Sequence, residues 1–93
     1  MITAIVLVET DVDKIPEAAE KIAEIEQVSE VYSVTGDTDL VAMVRVREHE
    51  ELADVIADGV SKIEGVRGTR TYIAFRTYSK HDIEAAFALG LED

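Results

Sequence analysis

The order of the hydrophobic patterns along the chain constrains the fold more than any other feature of the sequence. Runs of β-branched and aliphatic residues predict four strands, at residues 2–8, 28–35, 40–47 and 66–77. Apolar residues at helical spacing predict one helix after the first strand and another, over residues 49–63, after the third. The order βαββαβ is that of a split β-α-β sheet with both helices on one face. The sequence therefore predicts a ferredoxin-like α+β fold.

The helical spacing also predicts which side chains face the sheet. In the first helix these are Ile15, Ala18, Ala19, Ile22 and Ile25, and in the second they are Leu52, Val55, Ile56, Val60 and Ile63. Asp11 or Asp13 is expected to cap the first helix. Pro16 is tolerated in its first turn, because no internal N–H bond is lost there. Gly59 lies inside the second helix, where it costs about 1 kcal/mol relative to alanine, and is expected to mark a close packing contact.

The first and third strands, which are central in this topology, are apolar on both faces. Two helices can cover only one face of the sheet, so the other face needs a different cover. The pattern leaves open which face that is. The first strand offers Ile5 and Leu7 on one face and Ala4, Val6 and Val8 on the other, and the third offers Val41 and Met43 on one face and Leu40, Ala42, Val44 and Val46 on the other. A chain of 93 residues also buries a modest core by itself. We therefore expect at least a homodimer.

The segment GDTD, residues 36–39, has the chemistry of a hairpin turn between the second and third strands. Gly36 allows a backbone N–H to face a ligand without interference from a Cβ atom. A carboxylate in the turn, from Asp37 or Asp39, could hold an ammonium group. Thr69 and Thr71 alternate onto one face of the fourth strand, where their hydroxyls could bind a carboxylate. These are the partners that a free amino acid needs. A plain hairpin with incidental threonines is the alternative.

The charge balance argues against direct nucleic-acid binding. Twenty acidic residues stand against nine basic ones, which gives a net charge of −11 and a surface that repels phosphate backbones. We expect the arginines to pair with the abundant carboxylates. They are Arg45, Arg47, Arg67, Arg70 and Arg76.

The sequence predicts no catalytic, metal or cofactor site. It contains no cysteine, which excludes thiol catalysis and cysteine-ligated zinc. His49 and His81 lie at predicted helix starts, where a capping or solvent role is ordinary, and no nucleophile motif is present. Asp37 and Asp39 supply too few ligands for a hard cation. The first apolar run is too short for a membrane span and lacks the basic leader of a signal peptide, so we expect a cytoplasmic protein without a membrane partner.

Two stretches of the chain resemble the effector-binding domain of the Lrp/AsnC family of transcriptional regulators. They are VSEVYSVTGDTDLVAMVRV and ELADVIADGVSKIEGVRGTRTYIAF, and the resemblance extends over roughly residues 2–79. The most specific parts are V-x-G-x-x-D, at Val34, Gly36 and Asp39, and GV-x-x-T-x-T, at Gly65, Val66, Thr69 and Thr71.

The resemblance implies a domain that dimerises through its sheets as a dimeric α+β barrel and often assembles further into rings of dimers. It also implies that an amino-acid effector binds in clefts between dimers, near the glycine turn and the threonines of the fourth strand. The implied ligand-binding residues are Val34, Thr35, Gly36, Asp39, Thr69 and Thr71.

A full-length regulator of this family carries an N-terminal helix-turn-helix domain, whereas this sequence starts with the first strand of the effector domain. The expectation is a stand-alone module that acts through full-length Lrp/AsnC regulators. Residues 1–79 would form the ligand-binding domain, and residues 80–93 a C-terminal helix with Ile83, Ala86 and Phe87 on one face.

Two other functions stay open. One is a small dimeric α+β barrel enzyme, for which His49 and His81 are the bases that titrate near neutral pH. The other is a structural oligomerisation partner that binds no ligand.

Overall fold

The computed structural model describes residues 1–80 as a four-stranded antiparallel sheet with its helices on one face. The strands are β1 (Ile2–Thr10), β2 (Val28–Ser33), β3 (Leu40–Val46) and β4 (Val66–Ile73), in the spatial order β2-β3-β1-β4. This arrangement confirms the ferredoxin-like α+β prediction. The predicted C-terminal helix lies outside the described residues beyond Lys80, and so does His81.

The helical layer has two parts. A 3₁₀ turn (Val12–Lys14) leads into α1 (Ile15–Ala23), with Pro16 in the first turn as predicted. The second part begins as α2 (His49–Ala53) and continues through a π-helical segment (Asp54–Gly59) and a 3₁₀ turn (Val60–Lys62).

The π-helical segment fits the spacing of two core valines. Val55 and Val60 are five residues apart, so a regular α-helix at 100° per residue would point them about 140° away from each other. The i→i+5 bonds of a π-helix bring such residues onto one face. Both valines are buried. Gly59 lies in the same segment, and a Cβ atom there would be 3.2 Å from Ile25 Cδ1, which fits the close packing contact predicted for it.

The core lies between the sheet and the helices. Alternate residues of the central strands face the helices, and the register places Val6 of β1 opposite Ala42 of β3. Burying this apolar surface stabilises the domain by about 25 cal/mol per Å². The buried apolar residues are Ala4, Val6, Val8, Ala18, Ile22, Val28, Leu40, Ala42, Val44, Val46, Leu52, Val55 and Val60.

The other side of the sheet is apolar and uncovered in a single chain, as the pattern predicts. Its apolar part, which we call the open face, consists of Ile5, Leu7, Val41, Met43, Tyr32 and Tyr72. The register places Arg45, Arg70 and Glu30 on the same side around it. The four aliphatic side chains are half-buried, and the two tyrosines are 46% and 55% exposed. At its β2 edge the Tyr32 hydroxyl donates a hydrogen bond to the Glu30 carboxylate. This bond raises the pKa of Tyr32 above the ordinary 10.0.

Some element ends differ from the predictions. β4 ends at Ile73, not at residue 77, because β1 begins at Ile2 and the last bond between them joins Ala74 N to Thr3 O. β2 ends at Ser33, the residue that pairs with the first residue of β3.

The predicted cap of the first helix is wrong. Neither Asp11 nor Asp13 makes a capping side-chain bond, and Lys14 occupies the position before α1. The backbone N–H of Asp11 instead donates to Gly65 O at 2.8 Å, which ties the end of β1 to the start of β4.

We predict that Gly65→Ala destabilises the domain by about 2 kcal/mol, because an L-residue is strained in this backbone conformation. Gly65 has φ +93°, and an added Cβ atom would lie 2.6 Å from Lys14 Cβ. Gly68→Ala is the matched control, since its Cβ atom would meet nothing closer than Glu9 Oε2 at 3.9 Å. Urea denaturation measures the unfolding midpoint of each variant, and equal midpoints for the two would contradict this prediction.

Candidate functional site

The hairpin turn at residues 34–39 joins β2 to β3 at one end of the sheet. Gly36 has φ +115°, as its turn chemistry predicts, and no heavy atom lies within 4 Å of the position its Cβ would take. Thr35, Gly36 and Asp37 are all exposed. The backbone at Gly36 is therefore accessible to another molecule.

We predict that Gly36→Val lowers the free energy of unfolding by about 1–3 kcal/mol, because a β-branched residue is strained at this φ. The space around the site is open, so backbone strain rather than a clash accounts for the loss. Asp37→Val is the control, because it places a valine at the adjacent residue, which is also exposed but whose φ is not positive. Chemical denaturation showing the same loss for both variants would mean that the conformation of Gly36 is not what matters.

Asp39 braces the turn against β1. Its carboxylate Oδ2 accepts a hydrogen bond from the backbone N–H of Thr10 at 2.9 Å. Its own N–H donates to Val8 O at 3.2 Å, and its carbonyl accepts from Val34 N at 3.1 Å. A carboxylate has about four lone-pair sites, so the bond to Thr10 leaves acceptor capacity for a ligand.

Two further threonines, which the sequence analysis did not single out, are buried at this end of the sheet. Thr38 is 9% exposed, and its hydroxyl donates to Val8 O at 3.1 Å. Thr10 is 4% exposed, and its hydroxyl has no hydrogen-bond partner within the described chain. A threonine just before an apolar strand is a common turn residue that bonds nearby backbone, and this signal could have identified Thr38.

The predicted threonines of β4 lie apart from the turn. Thr69 pairs with Val8 and Thr71 with Val6, so both are on the helix side of the sheet. Thr69 is half-buried and Thr71 is exposed. β1 separates β4 from β3, which corresponds to two strand spacings, or about 10 Å. Within one chain the fold brings the turn to the end of β1 but does not join it to the threonines.

Three surface clefts of about 650, 380 and 190 Å³ are lined by other residues. The largest is lined by Phe75, Arg76 and Tyr78, and the smallest lies beside α1. The second, at the opposite end of the sheet from the turn, contains Arg45 and Arg47. None of these three clefts includes a predicted ligand-binding residue.

The arginines do not pair as predicted. In residues 1–80 only Arg67 approaches a carboxylate, with its Nε 3.8 Å from Asp11 Oδ1. Arg45 donates from Nη1 to Thr3 Oγ1 at 3.1 Å instead.

No metal-binding cluster is found among residues 1–80, where histidine, aspartate and glutamate side chains nowhere form a group of three. His49 is exposed at the first position of α2. No helix in the described part of the chain is long and apolar enough to cross a bilayer.

Comparison with known proteins identifies the family. The family described as the Lrp/AsnC ligand binding domain matches residues 3–83, which include all of the strands and helices described above except Ile2, the first residue of β1. The chain belongs to the Lrp/AsnC family. The matched segment contains both the 34–39 turn and the threonines of β4.

The curated relatives of this Lrp/AsnC chain are transcriptional regulators. The HTH-type transcriptional regulator FL11 of Pyrococcus furiosus is 37% identical over 79 residues, which are 85% of this chain and 52% of the regulator. The HTH-type transcriptional regulator LrpA of Pyrococcus horikoshii is 42% identical over 59 residues, which are 63% of this chain and 42% of the regulator. The chain spans about half the length of the curated relatives it matches.

Solved structures agree with the fold of this Lrp/AsnC chain. The crystal structure of TTHA0845 from Thermus thermophilus has a TM-score of 0.82 and 50% identity, and the match covers 86% of this chain and all of that one. AsnC of E. coli has a TM-score of 0.80, with coverage of 84% of this chain and 53% of AsnC. Its identity is 20%, so that likeness concerns the fold alone.

Proposed function

We propose that this protein is an effector-binding module that binds a free amino acid between subunits and acts in transcriptional regulation through partner regulators. The observation that carries the proposal is the family match over residues 3–83, because it spans the whole sheet and both parts of the candidate site. The curated relatives are regulators rather than enzymes, which supports a function without a catalytic step.

Assembly begins with a homodimer in which a second copy covers the open face. Four half-buried aliphatic residues between two exposed tyrosines form an apolar patch that is unfavourable in water. Packing of one such face on another would form a sandwich with sheets about 10 Å apart. Further contacts between dimers would produce a ring.

The amino acid would bind at a boundary between subunits, with the turn supplied by one subunit and the threonines by its neighbour. Among the described residues no hydrogen bond joins the turn to these threonines within one chain, and β4 is two strand spacings, about 10 Å, from β3, which supports this arrangement. Val34, Thr35 and Gly36 would contribute backbone groups. Asp39 would hold the ammonium, and the hydroxyls of β4 would bind the carboxylate.

A thermal-shift screen of the twenty common amino acids tests this function. A ligand that binds only the folded state at a hundred times its Kd stabilises it by about 2.7 kcal/mol, so the true effector should raise Tm clearly. The same screen on Asp39→Asn should show a smaller shift at the same ligand concentration. If none of the twenty compounds raises Tm at saturating concentration, amino-acid binding is wrong.

We predict that the chain as given does not bind duplex DNA at physiological salt. Its net charge is −11, and binding that rests on counterion release needs basic side chains near the phosphates. A gel-shift titration with random duplex at two salt concentrations measures this. A retarded band that weakens with salt would contradict the prediction and remove the need for a DNA-binding partner.

A further inference from the structure

The proposed amino-acid site has a negative charge for the ammonium group of the ligand but no positive charge for its carboxylate. Asp39 supplies the negative charge at the turn, whereas Thr69 and Thr71 offer neutral hydroxyls. Hydrogen bonds to a charged donor are roughly twice as strong as neutral ones, and the planar guanidinium of arginine can form two of them in parallel with a carboxylate. An arginine on the same side of β4 as the two threonines would therefore complete the site.

β4 contains two arginines, and they lie on different sides of the sheet. Arg70 pairs with Leu7 and lies on the open side with it. The Arg67 side chain is directed to the helix side, where its Nε is 3.8 Å from Oδ1 of Asp11, the residue before the first 3₁₀ turn. Thr69 is also on the helix side, and its Cα atom is two residues, or about 7 Å, from that of Arg67. Arg67 is therefore the arginine of β4 that can reach a ligand at the threonines.

A bulge in β4 gives Arg67 its position. Glu9 of β1 pairs with Gly68. The next residue, Thr10, pairs with Val66, so β4 has one extra residue at Arg67. A bulge of this kind bends the strand and re-aims a side chain, and bulges are over-represented next to active sites. The Arg67 side chain thus leaves β4 outside the regular alternation of the strand.

The Arg67 guanidinium has donors available for a ligand. Its side chain is 70% exposed, and that of Asp11 is 53% exposed. Their contact of 3.8 Å is longer than a hydrogen bond, and exposed ion pairs contribute little to stability. Among the described residues, Arg67 approaches no other carboxylate. A ligand carboxylate can therefore replace Asp11 at small cost.

The bulge lies at the end of the sheet that carries the hairpin turn. There Thr10, which is beside the bulge, donates its N–H to Asp39 Oδ2 at 2.9 Å. This end of the sheet thus carries both charges that a zwitterion needs, one on each side of β1. We infer, on the basis of the proposed function, that Arg67 is a further ligand-binding residue of the amino-acid site and holds the carboxylate of the ligand beside the Thr69 hydroxyl. Asp11 is the competitor that the ligand displaces.

Calorimetric titration of the full chain with each of the twenty common L-amino acids, followed by the carboxamide of the tightest binder, measures this contact. The wild type should bind the carboxamide at least about tenfold more weakly than the free amino acid, because the negative charge is lost. Arg67→Ala should weaken binding of the free amino acid by a similar factor and should distinguish the two compounds much less. Asp11→Asn should bind the free amino acid at least as tightly as the wild type, because the competing carboxylate is removed. Lys62→Ala, which removes the same charge at another exposed residue, should behave like the wild type.

The outcomes separate this inference from the proposed function. If the wild type binds an amino acid and Arg67→Ala prefers it over the carboxamide by the same factor, Arg67 is not part of the site, while the proposed function stands. Equal losses of affinity in Arg67→Ala and Asp11→Asn would show that their ion pair only supports the fold, and would also overturn the inference. Failure of all twenty amino acids to bind the wild type would overturn both.

Discussion

Val41→Asp is expected to dissociate the proposed homodimer into monomers at micromolar concentration. Val41 is half-buried on β3 and pairs with Leu7, in the middle of the open face. In a symmetric dimer the substitution would bury two carboxylates without partners, and each such charge costs several kcal/mol. The dimer Kd should therefore rise by about a thousandfold or more. Sedimentation equilibrium measures the change.

Two further valines serve as controls for this experiment. Val12→Asp makes the same substitution at a residue that is 85% exposed and outside the open face, so it should sediment like the wild type. Val6→Asp places the charge in the core under the helices, where the side chain is fully buried, and should unfold the protein instead. A folded Val41→Asp variant that stays dimeric would show that the open face is not the interface.

Asp39→Ala should weaken amino-acid binding by about ten- to a hundredfold, because a charge-assisted hydrogen bond contributes roughly 1.5–3 kcal/mol. The same variant also loses the acceptor for Thr10 N–H, so its fold should be less stable as well. Asp39→Asn separates the two effects. It keeps an oxygen for Thr10 and removes the negative charge that an ammonium requires.

Asp39→Asn is therefore expected to be nearly as stable as the wild type but to bind the amino acid weakly. Calorimetric titration and urea denaturation of the three proteins provide the comparison. Asp39→Asn binding as tightly as the wild type, with its fold and assembly intact, would mean that Asp39 only braces the turn.

The fold is predictable from the sequence where the spacing of the apolar residues matches the side chains that the structure buries. β1 and β3 were predictable because apolar residues occupy both of their faces, and Pro16 fits its place in the first turn of α1. The π-helical segment was not predicted, because the other inward residues of this helix recur at α-helical spacing and the five-residue gap between Val55 and Val60 is a single mismatch among them. The end of β4 depends on where β1 begins, which is a matter of tertiary pairing rather than local sequence.

The candidate site was predictable in part. Turn chemistry alone points to positive φ at Gly36, and the structure has it. The bond from Thr10 N–H to Asp39 joins residues 29 positions apart, so no local pattern could reveal it. Spacing within β4 places Thr69 and Thr71 on one face but carries no information about their distance from the turn.

A complementation experiment tests the shared site most directly. The Asp39→Asn chain and a chain carrying Thr69→Ala and Thr71→Ala are each expected to bind the amino acid weakly when alone. If turn and threonines come from different subunits, random mixing of the two chains should restore wild-type affinity at about a quarter of the sites, because symmetric assembly pairs each turn with a neighbour's β4. Calorimetry of the refolded mixture measures that fraction. No restored sites in a mixture shown to contain hybrid oligomers would contradict the account and place the turn and the threonines in the same chain's site.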